Sequence, residues 1–462
     1  MKIVLAVHGF PPAELGGTEQ SALGLARALA AAGHDPIVVA GSSEPAGGDD
    51  LRLEESHVEG LRVVRFHRPD LYFDHWQKSR SVRVSEAFRD LLRREQPDLV
   101  HVLHWLRLSR DLVLSAAREG VPAVVSLNDL WTSCPLTFRL DPKTRTVCHK
   151  PLAAVQCISC AGQVPPRTPW VPLEGALLEF AGREADLARE LKLARRILVP
   201  SRSHAERLAR FVDHIDADAV SVVAPRGLGA LAMPARCPAA APPLRLYAFG
   251  SLSALKGTDL LIEAAADARL AGAVEVQLAG REEQPGWLQN QLARFRAARV
   301  NYLGPYAAED LFGGALARAA LDSHLFVSAS RAPESFALVL DEARALGLAC
   351  VLPAQGAFLE RASEGVGATF FEAGNLESLV QALARLVADP AEVKRLAATV
   401  PAPVPEQEVL AGHLAAYDES LAAGPPENLG VPPDEWYARR MALFAEAEWD
   451  RGLRQSDPGA LG

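Results

Sequence analysis

Short apolar runs alternate along this chain with stretches in which apolar residues recur at helical spacing. Lys2–Val7, Pro36–Ala40, Leu61–Phe66, Leu99–Val102, Val121–Leu127 and Arg196–Val199 read as strands. Between them, Thr18–Ala32 sets Leu23, Leu25, Ala26 and Leu29 on a helix that stops at Gly33, and Ser85–Arg94 reads as a second helix. Residues 229–243 (GALAMPARCPAAAPP) are rich in Pro and Ala, carry no period and predict a linker. The alternation then resumes. Strands are expected at Leu244–Phe249, Val274–Leu278, Val300–Leu303, Ser323–Val327, Ala349–Leu352 and Thr369–Phe371, with helices at Gly257–Ala268 and Asn375–Ala388. Past Val400, Pro401–Pro405 reads as a linker, Gln407–Ala422 as a helix and Glu435–Trp449 as a final amphipathic helix, with the last ten residues frayed.

Strands separated by helices imply parallel, doubly wound sheets, with binding groups at the strand C-terminal ends. At 462 residues, two such α/β, Rossmann-like domains are expected. Their bounds read as 1–228 and 244–400 around the 229–243 linker, with C-terminal helices over 401–462.

Composition narrows the function classes. Hydrophobic residues at 49% and charged residues at 23% describe a globular chain. A formal net charge of −9 without a basic run argues against nucleic acid as a partner. No apolar run reaches the length of a membrane span. The opening MKIVLAVHGFPP reads as a first strand and not as a signal peptide, so the expected location is cytoplasmic, with peripheral membrane contact left open.

The stretch Leu325–Gly347 (LFVSASRAPESFALVLDEARALG) reads as strand, small-residue turn and a helix opening near Ser335. The free N–H groups and positive dipole end of such a helix suit a diphosphate. Glu334 and Glu342 bracket it, and eight residues of helix rise about 12 Å, the reach from the sugar to the ribose of a nucleotide-sugar. The string PESFALVLDEARALG resembles the donor-binding motif of retaining, family 4-type glycosyltransferases of the GT-B fold, in which two doubly wound domains face each other across a cleft. Ala337 stands where that family has Gly, which leaves the backbone less freedom beside the phosphates.

Three further strings resemble the family in the expected order, over about residues 1–400. FPPAELGGTEQ is similar to the loop over the cleft near donor phosphates and acceptor. In it Gly16 and Gly17 allow a tight turn, and Thr18 is a fit N-cap. LRLYAFGSLSALKGTDLLIEAA is similar to the entry of the donor domain, where Lys256 matches the phosphate-contacting lysine and Ser251 replaces an arginine. VPAVVSLNDLWTSCP is similar to the segment that carries a histidine near the transferred sugar. Here Asn128 stands in that place, Asp129 is retained, and His104, with His101 at the preceding strand end, is the candidate spatial substitute.

Of six cysteines, Cys237 and Cys350 stand alone, whereas Cys134, Cys148, Cys157 and Cys160 crowd together, the last two as a C-x2-C pair. That spacing reads as a structural zinc site, with His149 as an alternate ligand. Free thiols or a single disulfide are the other readings.

The resemblance implies an enzyme that moves a sugar from a nucleotide-sugar with retention. Glu342 would take the ribose hydroxyls and Glu334 the donor sugar. Lys256 and the backbone N–H groups around Ser335, Phe336, Ala337 and Leu338 would stabilise the leaving diphosphate, with no catalytic metal. The acceptor, whether small molecule, glycan or lipid-linked, is not implied. The alternatives are a non-catalytic nucleotide-sugar-binding member, in view of Asn128, Ser251 and Ala337, or another GT-B enzyme such as an epimerase.

Overall fold

The structure is a computed structural model that describes residues 1–48, 50–69, 80–141, 143–144, 146–149, 157, 160, 173–212, 215–228, 242–306 and 308–429. Among these, the first sheet comprises β1 (Lys2–Val7), β2 (Asp35–Gly41), β3 (Arg52–Val58), β4 (Leu61–His67), β5 (Leu99–Val102), β6 (Ala123–Ser126), β7 (Arg196–Val199) and β8 (Val220–Val222). Their order is β3-β4-β2-β1-β5-β6-β7-β8, and every pairing is parallel except β3 with β4. The second sheet comprises β9 (Leu244–Phe249), β10 (Val274–Ala279), β11 (Val300–Tyr302), β12 (Leu325–Val327), β13 (Ala349–Pro353), β14 (Ser363–Glu364) and β15 (Gly367–Phe371). It runs β11-β10-β9-β12-β13-β15-β14, all parallel. These are the two doubly wound α/β domains that the pattern predicts.

The central strands are apolar throughout because helices cover both faces of each sheet. In β1, Val4 and Ala6 enter one buried cluster while Ile3, Leu5 and Val7 enter another on the opposite face. In β9, Leu244 and Leu246 pack on one side and Tyr247 and Phe249 on the other. Strand order reverses at β1/β5 and at β9/β12, the points where crevices open at strand C-terminal ends.

The pattern reading also lacks the short strands β8 and β14, and three larger departures stand out. The strand Arg52–Val58 was not expected, because it is an antiparallel edge whose side chains are largely exposed and polar. The helix Leu173–Leu193 was not expected either, because its inner face carries charge. Asp186 takes the Arg110 guanidinium at 2.7 Å, and Glu190 accepts from Trp105 Nε1, Val113 N and Leu114 N at 2.7–2.8 Å. The last two donors are first-turn N–H groups of the helix Leu112–Arg118, so Glu190 caps that helix from outside. Burial pushes the Glu190 carboxyl up to about 8. The third departure, at Ser335, belongs to the site.

The chain crosses between domains twice in one place. Leu228 N donates to Val404 O at 3.0 Å, and a Cβ on Gly227 would stand 2.5 Å from the Glu406 backbone. The returning helix, Glu406–Ala423, lies on the first sheet, where Tyr417 Oη meets His101 Nδ1 at 2.8 Å and His101 Nε2 meets Ser126 Oγ at 2.8 Å. Most of the expected linker and all of the expected helix Glu435–Trp449 lie outside the described residues. No described helix is long and apolar enough to cross a membrane.

Candidate active site

The two switch points face each other across a cleft of about 700 Å³. Apart from the four cysteines, His149 and His101, every site residue singled out from the sequence lines it, from Gly16 and Gly17 on one wall to Ser251, Lys256 and the 334–342 turn on the other.

On the second-domain wall, β12 leads into the turn that carries Glu334. Lys256 Nζ and Ser330 Oγ both donate to Glu334 Oε1 at 2.8 Å. Lys256 owes its position to Gly257, which has φ +69° and whose missing Cβ would stand 1.8 Å from Ala329 O. The helix after the turn spans Leu338–Ala345 and so opens three residues later than expected. Glu334 and Glu342 therefore do not share one helix. The reason is Ala337, which sits at φ +64°, ψ +70°, a left-handed conformation that stops the helix from extending backwards. Arg361 holds that turn in place. It donates to Phe336 O (2.6 Å), Ala337 O (3.4 Å) and Asp341 Oδ2 (2.6 Å), with its guanidinium 3.5 Å from the Phe336 ring centroid. Among the described residues no protein acceptor takes the N–H groups of Ala337, Leu338 or Val339, which face the cleft as an anion site.

Glu342 is buried behind this turn and accepts from Arg226 Nη1 at 3.1 Å. Burial raises its pKa and Arg226 works against the rise. Tyr306 lines the same end of the cleft.

The two walls are joined at Ser335. Its Oγ donates to Asn128 O at 2.5 Å and its carbonyl accepts from Ser201 Oγ at 2.6 Å. Arg207 donates to Pro333 O at 3.0 Å. Glu360 takes the N–H groups of Arg202 and Ser203, at the start of the helix Arg202–Ala209, at 3.0 and 2.9 Å.

On the first-domain wall two histidine rings pack together at a tilt of 49°, a pairing the sequence reading missed in part. His8 and His104 have ring centroids 4.3 Å apart. His8 Nε2 lies 3.1 Å from Glu19 Oε1, and His104 Nε2 lies 3.3 Å from Asp129 Oδ2. Leu106 N donates to His104 Nδ1 at 3.0 Å, which leaves the His104 proton on Nε2, toward Asp129. Burial lowers the His104 pKa, so this imidazole is neutral near pH 7. Burial by itself would raise Glu19, but the hydrogen bond and charge of His8 hold it at about 2. The structure also supplies a different reason for Gly16. Its φ of −71° is ordinary, but a Cβ there would stand 2.4 Å from Glu19 Oε2. Glu19 was visible as the last residue of the GGTE string, and His8 as the residue that ends the first apolar run. Asn128 Nδ2 is buried and has no partner among the described residues, beside the domain junction.

Among the described residues Cys134, Cys148, Cys157 and Cys160 form no disulfide, and they lie outside the cleft. Cys160 is pushed up to about 11 by burial first and then by Cys134, Asp141, Cys148 and Cys157, so the sulfurs lie within electrostatic reach of one another. Among the described residues, however, no group of three or more His, Cys, Asp or Glu is gathered to hold a metal ion. The loop bearing Cys134 and Cys148 is tied instead by Arg139, which donates to Ser133 O (2.7 Å) and Cys148 O (3.2 Å). The zinc centre that the spacing predicts is not assembled in this structure.

Comparison with known proteins agrees with this architecture. Residues 15–227 match the family described as Glycosyltransferase Family 4, and residues 243–389 match Glycosyl transferases group 1. Comparison with curated proteins finds no match. Similar solved structures include sucrose-phosphate synthase from Thermosynechococcus elongatus (19% identity, TM-score 0.64, 91% of this chain and 99% of that one). Anabaena HepE in complex with UDP and glucose is also similar (15% identity, TM-score 0.57, 90% and 99%). So is the catalytic domain of starch synthase IV from Arabidopsis thaliana bound to ADP and acarbose (15% identity, TM-score 0.58, 91% and 99%). With two α/β domains facing across a cleft and these two family descriptions matched in order along it, the chain is a glycosyltransferase of the GT-B fold.

Proposed function

We propose that this glycosyltransferase moves a sugar from a nucleoside diphosphate donor to an acceptor with retention of anomeric configuration. The observation that carries the reading is the turn at 337–339. Its unpaired N–H groups face the cleft, with Lys256 at one end and the buried Glu342 carboxylate at the other. A diphosphate on the turn would set the sugar toward Glu334 and the ribose toward Glu342. The complexes of HepE with UDP and glucose and of starch synthase IV with ADP are consistent with a nucleotide in the corresponding cleft.

In this reading residues 1–228 hold the acceptor, 229–243 link the domains, and 244–400 hold the donor. The anomeric carbon–oxygen bond to the diphosphate breaks as the acceptor oxygen bonds to the same face of that carbon. The acceptor's proton passes to the leaving phosphate oxygen. Lys256 and the turn N–H groups stabilise the charge that develops on the diphosphate. Asn128 Nδ2 donates to a sugar hydroxyl, and Asp129, held by the His104 Nε2–H, accepts from the acceptor hydroxyl and orients it. No enzyme nucleophile and no catalytic metal enter.

A panel of nucleotide-sugars screened for thermal stabilisation, followed by turnover and the anomeric configuration of the product, tests this. Stabilisation by one donor class and a product of unchanged configuration are expected. An inverted product overturns retention, and a panel without any binding overturns the donor reading. The cytoplasmic location, with peripheral membrane contact for a lipid-linked acceptor, belongs to the same proposal. Zinc at the four cysteines is not part of this proposal, since among the described residues no metal-holding group is gathered there. Elemental analysis of the purified protein decides whether zinc is bound, and no step of transfer depends on it.

A further inference from the structure

Three cationic side chains line the cleft: Arg226, Lys256 and Arg281. Two are committed to carboxylates, Arg226 to Glu342 at 3.1 Å and Lys256 to Glu334 at 2.8 Å. The Arg281 guanidinium has no hydrogen-bond or ion-pair partner among the described residues. A diphosphate brings two negative charges, and among the described residues Arg281 is the uncommitted cation of the cleft.

The backbone explains where that cation sits. The parallel ladder of β9 and β10 pairs Phe249 with Ala279 and, past one glycine on each strand, Leu252 with Glu282. The two pairings share one register, which sets Ser251 opposite Arg281. Hydrogen bonds bracket the position, from Gly250 N to Ala279 O at 3.1 Å and from Leu252 N to Arg281 O at 2.9 Å. The glycines make this approach possible. A Cβ on Gly280, at φ +145°, would stand 1.7 Å from Gly250 O. Neighbouring strands lie about 4.8 Å apart, so a side chain from 281 reaches the space over Ser251. Both residues are exposed to the cleft.

We infer that Arg281 supplies the second positive charge to the donor diphosphate from just past the end of β10, beside the position just past β9 where Ser251 offers none. The assignment rests on the donor reading above. A guanidinium fork grips two phosphate oxygens at once, and it leaves the Lys256 ammonium free to follow the charge on the bond that breaks.

The test is calorimetric titration of wild type, Arg281→Ala, Arg281→Lys and Arg281→Ala/Ser251→Arg with UDP, GDP and ADP and with the matching nucleosides. Arg281→Ala is expected to weaken the diphosphate that wild type binds by ~10- to 100-fold. Its nucleoside affinity and melting temperature stay at wild-type values. Arg281→Lys keeps part of the affinity, and the Ser251→Arg change in the Arg281→Ala background recovers most of it. Wild-type diphosphate affinity in Arg281→Ala overturns the assignment and leaves the donor reading standing. A loss that extends equally to the nucleoside, or that comes with a lower melting temperature, also overturns it. If wild type binds none of the three diphosphates, the donor reading falls and the assignment with it.

Discussion

Lys256 Nζ and Glu334 Oε1 lie 2.8 Å apart in the mouth of the cleft, so the cation proposed for the leaving phosphate rests against the carboxylate proposed for the sugar. Their side chains are 33% and 16% exposed, and a pair this open to water is worth about 0–1 kcal/mol. An incoming diphosphate can therefore take the lysine at little cost, and Ser330 still donates to Glu334 when it does.

Lys256→Met should lower kcat by ~10²- to 10³-fold, the scale for removing one donor aimed at developing transition-state charge. The fold should be nearly untouched. Steady-state kinetics with the identified donor, alongside thermal melts, checks both halves. A variant that turns over at the wild-type rate would remove Lys256 from the mechanism.

Glu342 does more than await a ribose. It is buried, and with Arg226 it closes one end of the cleft. Glu342→Ala leaves the half-buried Arg226 guanidinium without its carboxylate, at a cost of about 1–3 kcal/mol in stability. Glu342→Gln keeps the volume and an acceptor, and should weaken nucleotide binding by about 1.5 kcal/mol with the fold intact. Calorimetry with the bound nucleotide reads this directly, and unchanged affinity in Glu342→Gln would dismiss the ribose contact.

Ala337 carries the backbone strain of the site. A left-handed L-residue costs about 1–2 kcal/mol, against about 0.4–1 kcal/mol for the extra freedom that glycine adds to the unfolded chain. Ala337→Gly should thus leave stability equal or slightly raised, whereas Ala337→Val should lower it by more than ~2 kcal/mol, since β-branching worsens the strain. Denaturant unfolding of the two variants tests the sign, and a destabilised glycine variant would contradict the strain.

The buried histidines set an acid limit. Burial pushes His413 and His204 each down to about 4, and lowers His101 well below the usual imidazole range. A folded pKa below the unfolded value of about 6.5 means that the native state binds fewer protons. The stability contribution is complete above pH 6.5 and is lost as pH falls from there toward 4. At pH 5 the loss amounts to about 2 kcal/mol per histidine. Glu190, raised to about 8, works in the opposite direction over pH 8 to 4.5, so the informative quantity is a difference between proteins. His413→Gln should lose about 2 kcal/mol less than wild type between pH 7.5 and 5.0 by denaturant unfolding. Parallel pH profiles would show that His413 does not titrate on unfolding.

Much of this protein is legible in its sequence because the relevant signals are local. Apolar runs such as Lys2–Val7 and Leu244–Phe249 announce strands covered on both faces, and the helical stretches between them announce parallel sheets. The Lys256-Gly257 step is readable too, since glycine is what a left-handed position against Ala329 O demands. Other elements escape because their signal is inverted. Arg52–Val58 is an edge strand without an apolar face, and Leu173–Leu193 buries Arg183, Asp186 and Glu190 where a hydrophobic stripe is looked for.

The sequence by itself determined the α/β architecture, the order of the two domains and the glycine positions, all of which follow from periodicity and backbone sterics. Only the tertiary structure decided the electrostatics of the cleft. Arg226 meets Glu342 across 116 residues, Lys256 meets Glu334 across 78, and Arg281 reaches the space over Ser251 through strand register. Charge pairing depends on distance in space, which periodicity does not encode. The start of the helix at Leu338 was likewise decided by tertiary contacts, because Arg361 and the partners of Ser335 hold the turn open against the helical preference of its residues.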